Sequence, residues 1–134
     1  TELGLKDVCD ELGIKLIAYS PLALGLLTGK YSENGALPKG IRGLACKQLL
    51  PGMQLLLNCL REIAEFRNKT VSQVAIIWCI WKETIPIPGA KSAAQARDNI
   101  GSLGWELDSG EVAELDKAAA SVDKKMVQNI FQTR

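Results

Sequence analysis

Lys91, Gln95, Asp98 and Asn99 are the side chains whose types and spacing best suit a ligand site in this sequence. They lie in Ile85–Asn99, I-P-I-P-G-A-K-S-A-A-Q-A-R-D-N. Ser92 stands three residues before Gln95, the spacing of a capping box, so a helix is expected to start there. A helix start leaves several N–H groups without partners and carries a partial positive charge, which attracts anions. Lys91, just before that start, adds a full positive charge. Gln95, Asp98 and Asn99 follow Ser92 by three, six and seven residues and so project from one side of the helix. Gly89 permits either a backbone turn or a close approach of backbone to ligand that a side chain would block. The chemistry on offer is recognition of a phosphate and a nucleoside. The simpler alternative is an ordinary strand-to-helix connection with a capped start.

Composition narrows the rest. The chain has no histidine, which excludes Ser-His, Cys-His and other histidine-based mechanisms within it. Cys9, Cys46, Cys59 and Cys79 form no C-x-x-C pair and have no regular spacing. No metal site is expected: mixed Cys/His zinc ligation is excluded, and a four-cysteine site would need improbable geometry. Cysteines inside apolar periodic stretches read as reduced core residues, which points to a reducing compartment. A length of 134 residues suits one domain with a modest core, and 47% hydrophobic with 23% charged residues is ordinary for a globular protein. A net charge of +1 gives no electrostatic case for nucleic acid or an anionic membrane. No apolar run reaches the length of a membrane span, and the start, T-E-L-G-L-K-D, does not read as a signal or transit peptide.

The remaining stretches must position that site. Leu3–Leu12 has helical spacing at Leu5, Val8, Cys9 and Leu12, with Gly13 where the helix should stop. Ile14–Tyr19 reads as a strand buried on both faces, and helix, glycine, buried strand is half of a parallel βαβ repeat. Ser20–Leu50 reads as a long irregular connection. Its Lys30, Lys39, Arg42 and Lys47, spread among glycines, suit either a loop folding over an anion or a solvated loop. Gly52–Arg67 is an amphipathic helix with Leu56, Leu60, Ile63 and Ala64 on one face. Thr70-Val71-Ser72-Gln73 opens a second capped helix through Lys82, apolar around nearly its whole circumference, with Trp78 and Trp81 read as core. Ile85–Ile87 is a short buried strand, Ser92–Leu103 a helix, and Ser109–Val122 another, capped by Asp108 or Ser109 and turning Val112, Leu115, Ala119 and Val122 inward. Asp123–Arg134 reads as a tail. Two buried parallel strands cannot form a stable sheet alone, so the expectation is the C-terminal piece of a larger parallel α/β structure. An eight-stranded barrel fits, because its phosphate site is commonly built by the loops after strands seven and eight and a helix N-terminus.

Three motifs carry a family resemblance: A-Y-S-P-L-A-L-G-L-L-T-G-K-Y at 18–31, K-T-V-S-Q-V-A-I-I-W at 69–78, and I-P-I-P-G-A-K-S-A-A-Q-A-R-D-N at 85–99. In order and spacing the chain resembles the aldo-keto reductases, NADP(H)-dependent barrel enzymes, over essentially its whole length. The fold class implied is the C-terminal part of a (β/α)8 TIM barrel, an incomplete barrel. Ile14–Tyr19 would be strand seven, Thr84–Ile87 strand eight, and a C-terminal extra helix would follow.

The resemblance also implies roles. Tyr19 would stack on the nicotinamide ring, offering a flat apolar face. Ser20, Pro21, Leu22, Ala23 and Leu24 match the backbone that follows the pyrophosphate, and Lys30 and Arg42 match a basic belt over the cofactor. Gly89, Lys91, Gln95, Asp98 and Asn99 match the adenosine end, with Lys91 reaching the 2′-phosphate and Asp98 and Asn99 the adenine edge. The family's catalytic aspartate, tyrosine, lysine and histidine would lie on earlier strands, so no catalytic residue is expected here and these 134 residues alone should be inactive. The partner implied is a small-molecule aldehyde, pyridoxal being one such substrate. The terminal Q-N-I-F-Q-T-R at 128–134 leans toward plant plastid members, which implies a chloroplast location. The competing reading is a non-catalytic nucleotide-binding or interaction module derived from a truncated barrel.

Overall fold

The computed structural model describes residues 4–122 apart from 33, 34 and 36, with the side chains of 41, 42 and 45 also left out. Asp123–Arg134 lies outside the described residues, as does the side chain of Arg42. The elements run α1 (Leu5–Glu11), β1 (Ile17–Tyr19), a 3-10 segment (Ala23–Thr28), α2 (Ile41–Leu49), a 3-10 segment (Leu50–Met53), α3 (Gln54–Phe66), α4 (Val71–Trp81), β2 (Ile85–Ile87), α5 (Ala93–Ile100) and α6 (Ser109–Ala120).

The two strands pair in parallel, Ile17 opposite Ile85, Ala18 opposite Pro86 and Tyr19 opposite Ile87. Parallel neighbours joined through helices are the βαβ arrangement expected from the sequence. The expected burial on both faces is corrected. Ile17, Tyr19, Ile85 and Ile87 are 58%, 54%, 49% and 54% exposed, whereas Ala18 and Pro86, which alternate to the other face, are half-buried. Helices cover one face of the pair only. Ile85 donates its N–H to the carbonyl of Leu16, so the next amide position along β2 faces the opposite edge. Pro86 occupies it, and that edge therefore lacks a donor.

The core sits among the helices. Leu57 and Leu60 of α3, Val74 of α4, Leu115 of α6 and Leu26 of the first 3-10 segment are completely buried. Burying each leucine contributes roughly 1.5–3 kcal/mol. In α3 the buried positions Leu56, Leu57, Leu60, Ile63 and Ala64 follow the helical period that the sequence displays. In α4, Val74, Ala75, Ile76 and Ile77 are buried consecutively, as expected for a helix that is apolar nearly all round. Val112, Leu115 and Ala118 are the buried residues of α6, with Ala119 and Val122 packed at the margin.

Three further expectations are corrected. Trp81 is 45% exposed and not core, its ring lying 5.3 Å from the Lys82 ammonium, and Trp78 is half-buried with its Nε1 donating to Asp116 at 3.0 Å. The last turn of α4 runs beyond the helices that cover its middle. Ser20–Leu50 is not irregular throughout: it holds the Ala23–Thr28 segment and α2, because I-R-G-L-A-C-K-Q-L tolerates one glycine within a helix. Lys47 lies in the last turn of α2, where a positive charge suits the helix dipole. Cys9 and Cys46 are buried, while Cys59 and Cys79 are half-buried. None of the four forms a disulfide among the described residues.

Local charge locks the helices together. Asp108 caps α6 by accepting from Glu111 N–H at 2.8 Å, and Glu111 accepts from Asp108 N–H at 2.8 Å. Arg67, at the end of α3, donates Nε and one terminal nitrogen to the two oxygens of Glu111 at 2.7 and 2.8 Å, and reaches Asp108 at 3.1 Å. This planar fork fixes where α6 begins relative to where α3 ends.

Candidate functional site

The loops that leave the C-terminal ends of β1 and β2 close on one cavity of about 650 Å3. From the β1 side it is lined by Ser20, Pro21, Leu22, Leu24, Gly25, Thr28, Lys30 and Tyr31. Pro88, Gly89, Ala90, Lys91, Gln95, Asp98 and Asn99 line it from the β2 side, and Ser72 of α4 completes the wall.

The β1 loop reaches the cavity through a strained backbone. Ser20, Ala23 and Leu24 adopt left-handed φ values of 49°, 47° and 58°. Each costs about 1–2 kcal/mol in a residue with a Cβ, and such strain concentrates at ligand sites. Thr28 steadies the turn, its Oγ1 donating to the Gly25 carbonyl at 2.7 Å and accepting from Lys30 N–H at 3.3 Å.

On the β2 side, Ser92 caps α5 by accepting from Gln95 N–H at 3.2 Å. The reciprocal half of the expected box is corrected: Gln95 Oε1 accepts from Lys91 N–H at 2.6 Å, not from Ser92. The backbone bends back one residue before the cap and brings Lys91 over the helix start. Asn99 Nδ2 lies 3.4 Å from the Gly89 carbonyl, closing the loop across its base. Gly89 does not adopt a left-handed φ, so the tight-turn role falls away. A Cβ on Gly89, which lines the cavity, would meet nothing within 4 Å, so the space beside it is open.

Of the side chains singled out from sequence, Ser20, Pro21, Leu22, Leu24, Lys30, Gly89, Lys91, Gln95, Asp98 and Asn99 are brought together. Tyr19 is not in the cavity wall. It stands at the end of β1 on the bare face of the sheet. Ala23 is half-buried against the core, and Arg42 belongs to α2 by its backbone alone. Lys39 and Lys47 are exposed away from the cavity. Sequence reasoning missed Gly25, Thr28, Tyr31, Ser72, Pro88 and Ala90. The first three fall inside the 18–31 motif, and Ser72 sits inside the capping box of α4, which marks a helix start but not what faces it.

Charge and donors suit a nucleotide. Lys30 and Lys91 are exposed cations on the wall, and Asp98 is the one lining carboxylate among the described residues. Ser72 is 8% exposed and its hydroxyl has no partner among the described residues. Because no enclosed side-chain polar atom among them lacks a partner, that hydroxyl reaches the cavity space. Among the described residues no group of histidine, cysteine, aspartate or glutamate could hold a metal, and no helix is long and apolar enough to cross a membrane.

The sequence profile described as the aldo/keto reductase family matches residues 1–120. The chain belongs to the aldo/keto reductase family. It is 56% identical to the chloroplastic pyridoxal reductase of Arabidopsis thaliana over 133 residues, which is 99% of this chain and 36% of that protein. It is 28% identical to the aldo-keto reductase yakc [NADP(+)] of Schizosaccharomyces pombe over 129 residues, 91% of this chain and 38% of that one. Among solved structures, the glycerol dehydrogenase of Gluconobacter oxydans superposes with a TM-score of 0.75 at 24% identity, covering 96% of this chain and 41% of its own. The chain thus spans between a third and two fifths of the length of the relatives it matches. Aldo/keto reductases are TIM-barrel oxidoreductases acting on small-molecule carbonyl compounds, and the parallel pair with its helices is α/β, as that fold requires.

Proposed function

We propose that the chain is the nucleotide-holding C-terminal part of an NADPH-dependent aldo-keto reductase, with β1 and β2 as strands seven and eight of its barrel. One observation carries this reading: two neighbouring parallel strands send their C-terminal loops onto a single cavity that has free cations at its wall and a capped helix start beside Lys91. That is where barrels bind phosphate groups. The NADP(+) in the name of the Schizosaccharomyces pombe relative supports NADP.

Within this reading the backbone Ser20–Leu24 follows the pyrophosphate, and Lys30, with Arg42 from α2, lies over the cofactor. Lys91 meets the 2′-phosphate, while Gly89, Gln95, Asp98 and Asn99 hold the adenosine end. Tyr19 shares the bare face of β1 with Ile17, the face a closed barrel turns inward, and supplies the flat surface for the nicotinamide. When bound, NADPH supplies a hydride to the carbonyl carbon of an aldehyde. The chain's own contribution is to bind and orient: it has no histidine, and the resemblance places the family's catalytic residues on earlier strands. The similarity to the Arabidopsis protein favours pyridoxal as the aldehyde and the plastid as the compartment. No observation favours a purely non-catalytic module.

The test is titration with NADPH, following intrinsic and nucleotide fluorescence, with NADH as control. Saturable binding that prefers NADPH is expected. A folded protein that binds neither, or both alike, refutes the reading. Aldehyde-dependent NADPH oxidation by these 134 residues alone would refute its claim that they bind without catalysing.

A further inference from the structure

The wall of the cavity is braced from behind by α4. Thr70 and Gln73 form a complete capping box: Thr70 Oγ1 accepts from Gln73 N–H at 3.2 Å, and Gln73 Oε1 accepts from Thr70 N–H at 3.0 Å. Capping leaves the Thr70 hydroxyl proton and both amide protons of Gln73 over. All of them are directed at Asp98. Thr70 Oγ1 donates to Asp98 Oδ1 at 3.0 Å, with Oδ2 at 3.3 Å. Gln73 Nε2 donates to the Asp98 backbone carbonyl at 2.9 Å and to Oδ1 at 3.1 Å.

Gly101 makes this possible. It caps α5 with an ordinary helical φ of −64°, so the backbone there does not need glycine. A Cβ at 101, however, would stand 2.2 Å from Gln73 Nε2. The missing side chain is the passage through which Gln73 reaches Asp98.

We propose that Thr70 and Gln73 are positioning residues, which fix the Asp98 carboxylate in the cavity wall so that its remaining acceptor sites meet the donors of a nucleoside. This deepens the NADPH reading and rests on it. A carboxylate offers about four lone-pair sites, and the brace is concentrated on Oδ1. Oδ2, reached only by the Thr70 hydroxyl at 3.3 Å, keeps most of its acceptor capacity, and the braced carboxylate has little rotational freedom to lose on binding. The effect belongs to affinity for the adenosine half, not to turnover.

Calorimetric titration with NADPH and with adenosine 2′,5′-bisphosphate tests this on the full reductase barrel containing these residues. Thr70→Val should weaken both ligands about tenfold, the equivalent of about one hydrogen bond. Thr70→Ser should restore them. Gly101→Ala keeps every polar group and the Thr70 half of the α4 cap, displaces the flexible end of Gln73, and should weaken both ligands similarly. KM for NADPH should rise with kcat unchanged at saturation. In an Asp98→Ala background neither substitution should weaken binding further. Undiminished binding by Thr70→Val and Gly101→Ala overturns the inference, as does equal weakening with Asp98 already removed. If the unsubstituted, folded protein binds neither ligand, the cofactor reading fails and takes this inference with it.

Discussion

Replacing Lys91 by alanine removes the exposed cation at the start of α5. Among the described residues Lys91 pairs with no carboxylate, and its backbone N–H donates to Gln95 Oε1. Among the described residues nothing therefore has to be broken before its ammonium meets an anion. A unit charge pair at about 4 Å is worth about 1 kcal/mol in bulk water and about 4 kcal/mol at an effective dielectric near 20. Lys91 is exposed but lines a cavity, so a value between these limits, about 2 kcal/mol, is expected for the 2′-phosphate. That corresponds to roughly 30-fold in the NADPH dissociation constant. NADH lacks the phosphate, and its binding should change less than about twofold. The loss should shrink as salt is raised, because at about 0.15 M the screening length is already near 8 Å. Fluorescence titrations of both nucleotides, at low and high salt, decide the matter. Equal loss for NADPH and NADH would show that Lys91 does not read the 2′-phosphate.

Other outcomes follow from the same geometry. Ser72→Ala removes a cavity-facing hydroxyl that has no partner among the described residues and should weaken NADPH by about three- to tenfold with unchanged thermal stability; the same titration beside a melting curve checks it. Asp108→Ala removes the α6 cap and one contact of Arg67. Loss of the cap should cost about 1 kcal/mol and lower Tm by roughly 3–5 °C, and an unchanged Tm would contradict the capping role. Burial pushes the Cys79 thiol up, and burial, then Glu114 and Glu62, push Cys59 up. Their folded pKa values therefore exceed the unfolded one. Stability is full below the unfolded thiol pKa and falls as pH rises through it toward the folded values. Urea midpoints between pH 7.5 and 9.5, about the unfolded thiol range, should decline, and less steeply in a Cys59→Ala, Cys79→Ala double variant.

What was legible in the sequence was local. Thr70-Val71-Ser72-Gln73 announces the start of α4 because both halves of the box lie within four residues, and the period of Leu56, Leu60, Ile63 and Ala64 states which side of α3 is buried. The gathering of Lys91, Gln95, Asp98 and Asn99 on one wall was readable from spacing for the same reason. What was not legible depends on neighbours. Ile17 and Ile85 read as buried because they are apolar, yet burial needs something opposite them. Trp81 reads as core in a helix apolar all round, although its turn extends past the packing. The second task of Gln73 left no local mark, since Asp98 is 25 residues away and its approach depends on a missing side chain at Gly101. Ser72 was hidden likewise: its place at a helix start is visible, but the cavity before it is made by α5.

The division between core and sheet bears on how the site works. The helical core is closed within the described residues, and the cavity wall is held by bonds inside them, from Thr28 on one side to Thr70, Gln73 and Asn99 on the other. The sheet is different. Ile17, Tyr19, Ile85 and Ile87 keep about half their surface bare. Covering the other half of four such side chains would contribute on the order of 4 kcal/mol, a large share of the roughly 5–15 kcal/mol that holds a domain folded. The loops lining the cavity leave from the ends of these same two strands. Whatever covers the sheet therefore also fixes the angles at which Ser20 and Gly89 enter the cavity. In the proposed reading, a nucleotide gripping both loops would hold the strands in register in turn. Cover and nucleotide are thus coupled through β1 and β2, and the coupling must be reciprocal. Each should tighten the other, with the strained backbone at Ser20, Ala23 and Leu24 as the joint between them.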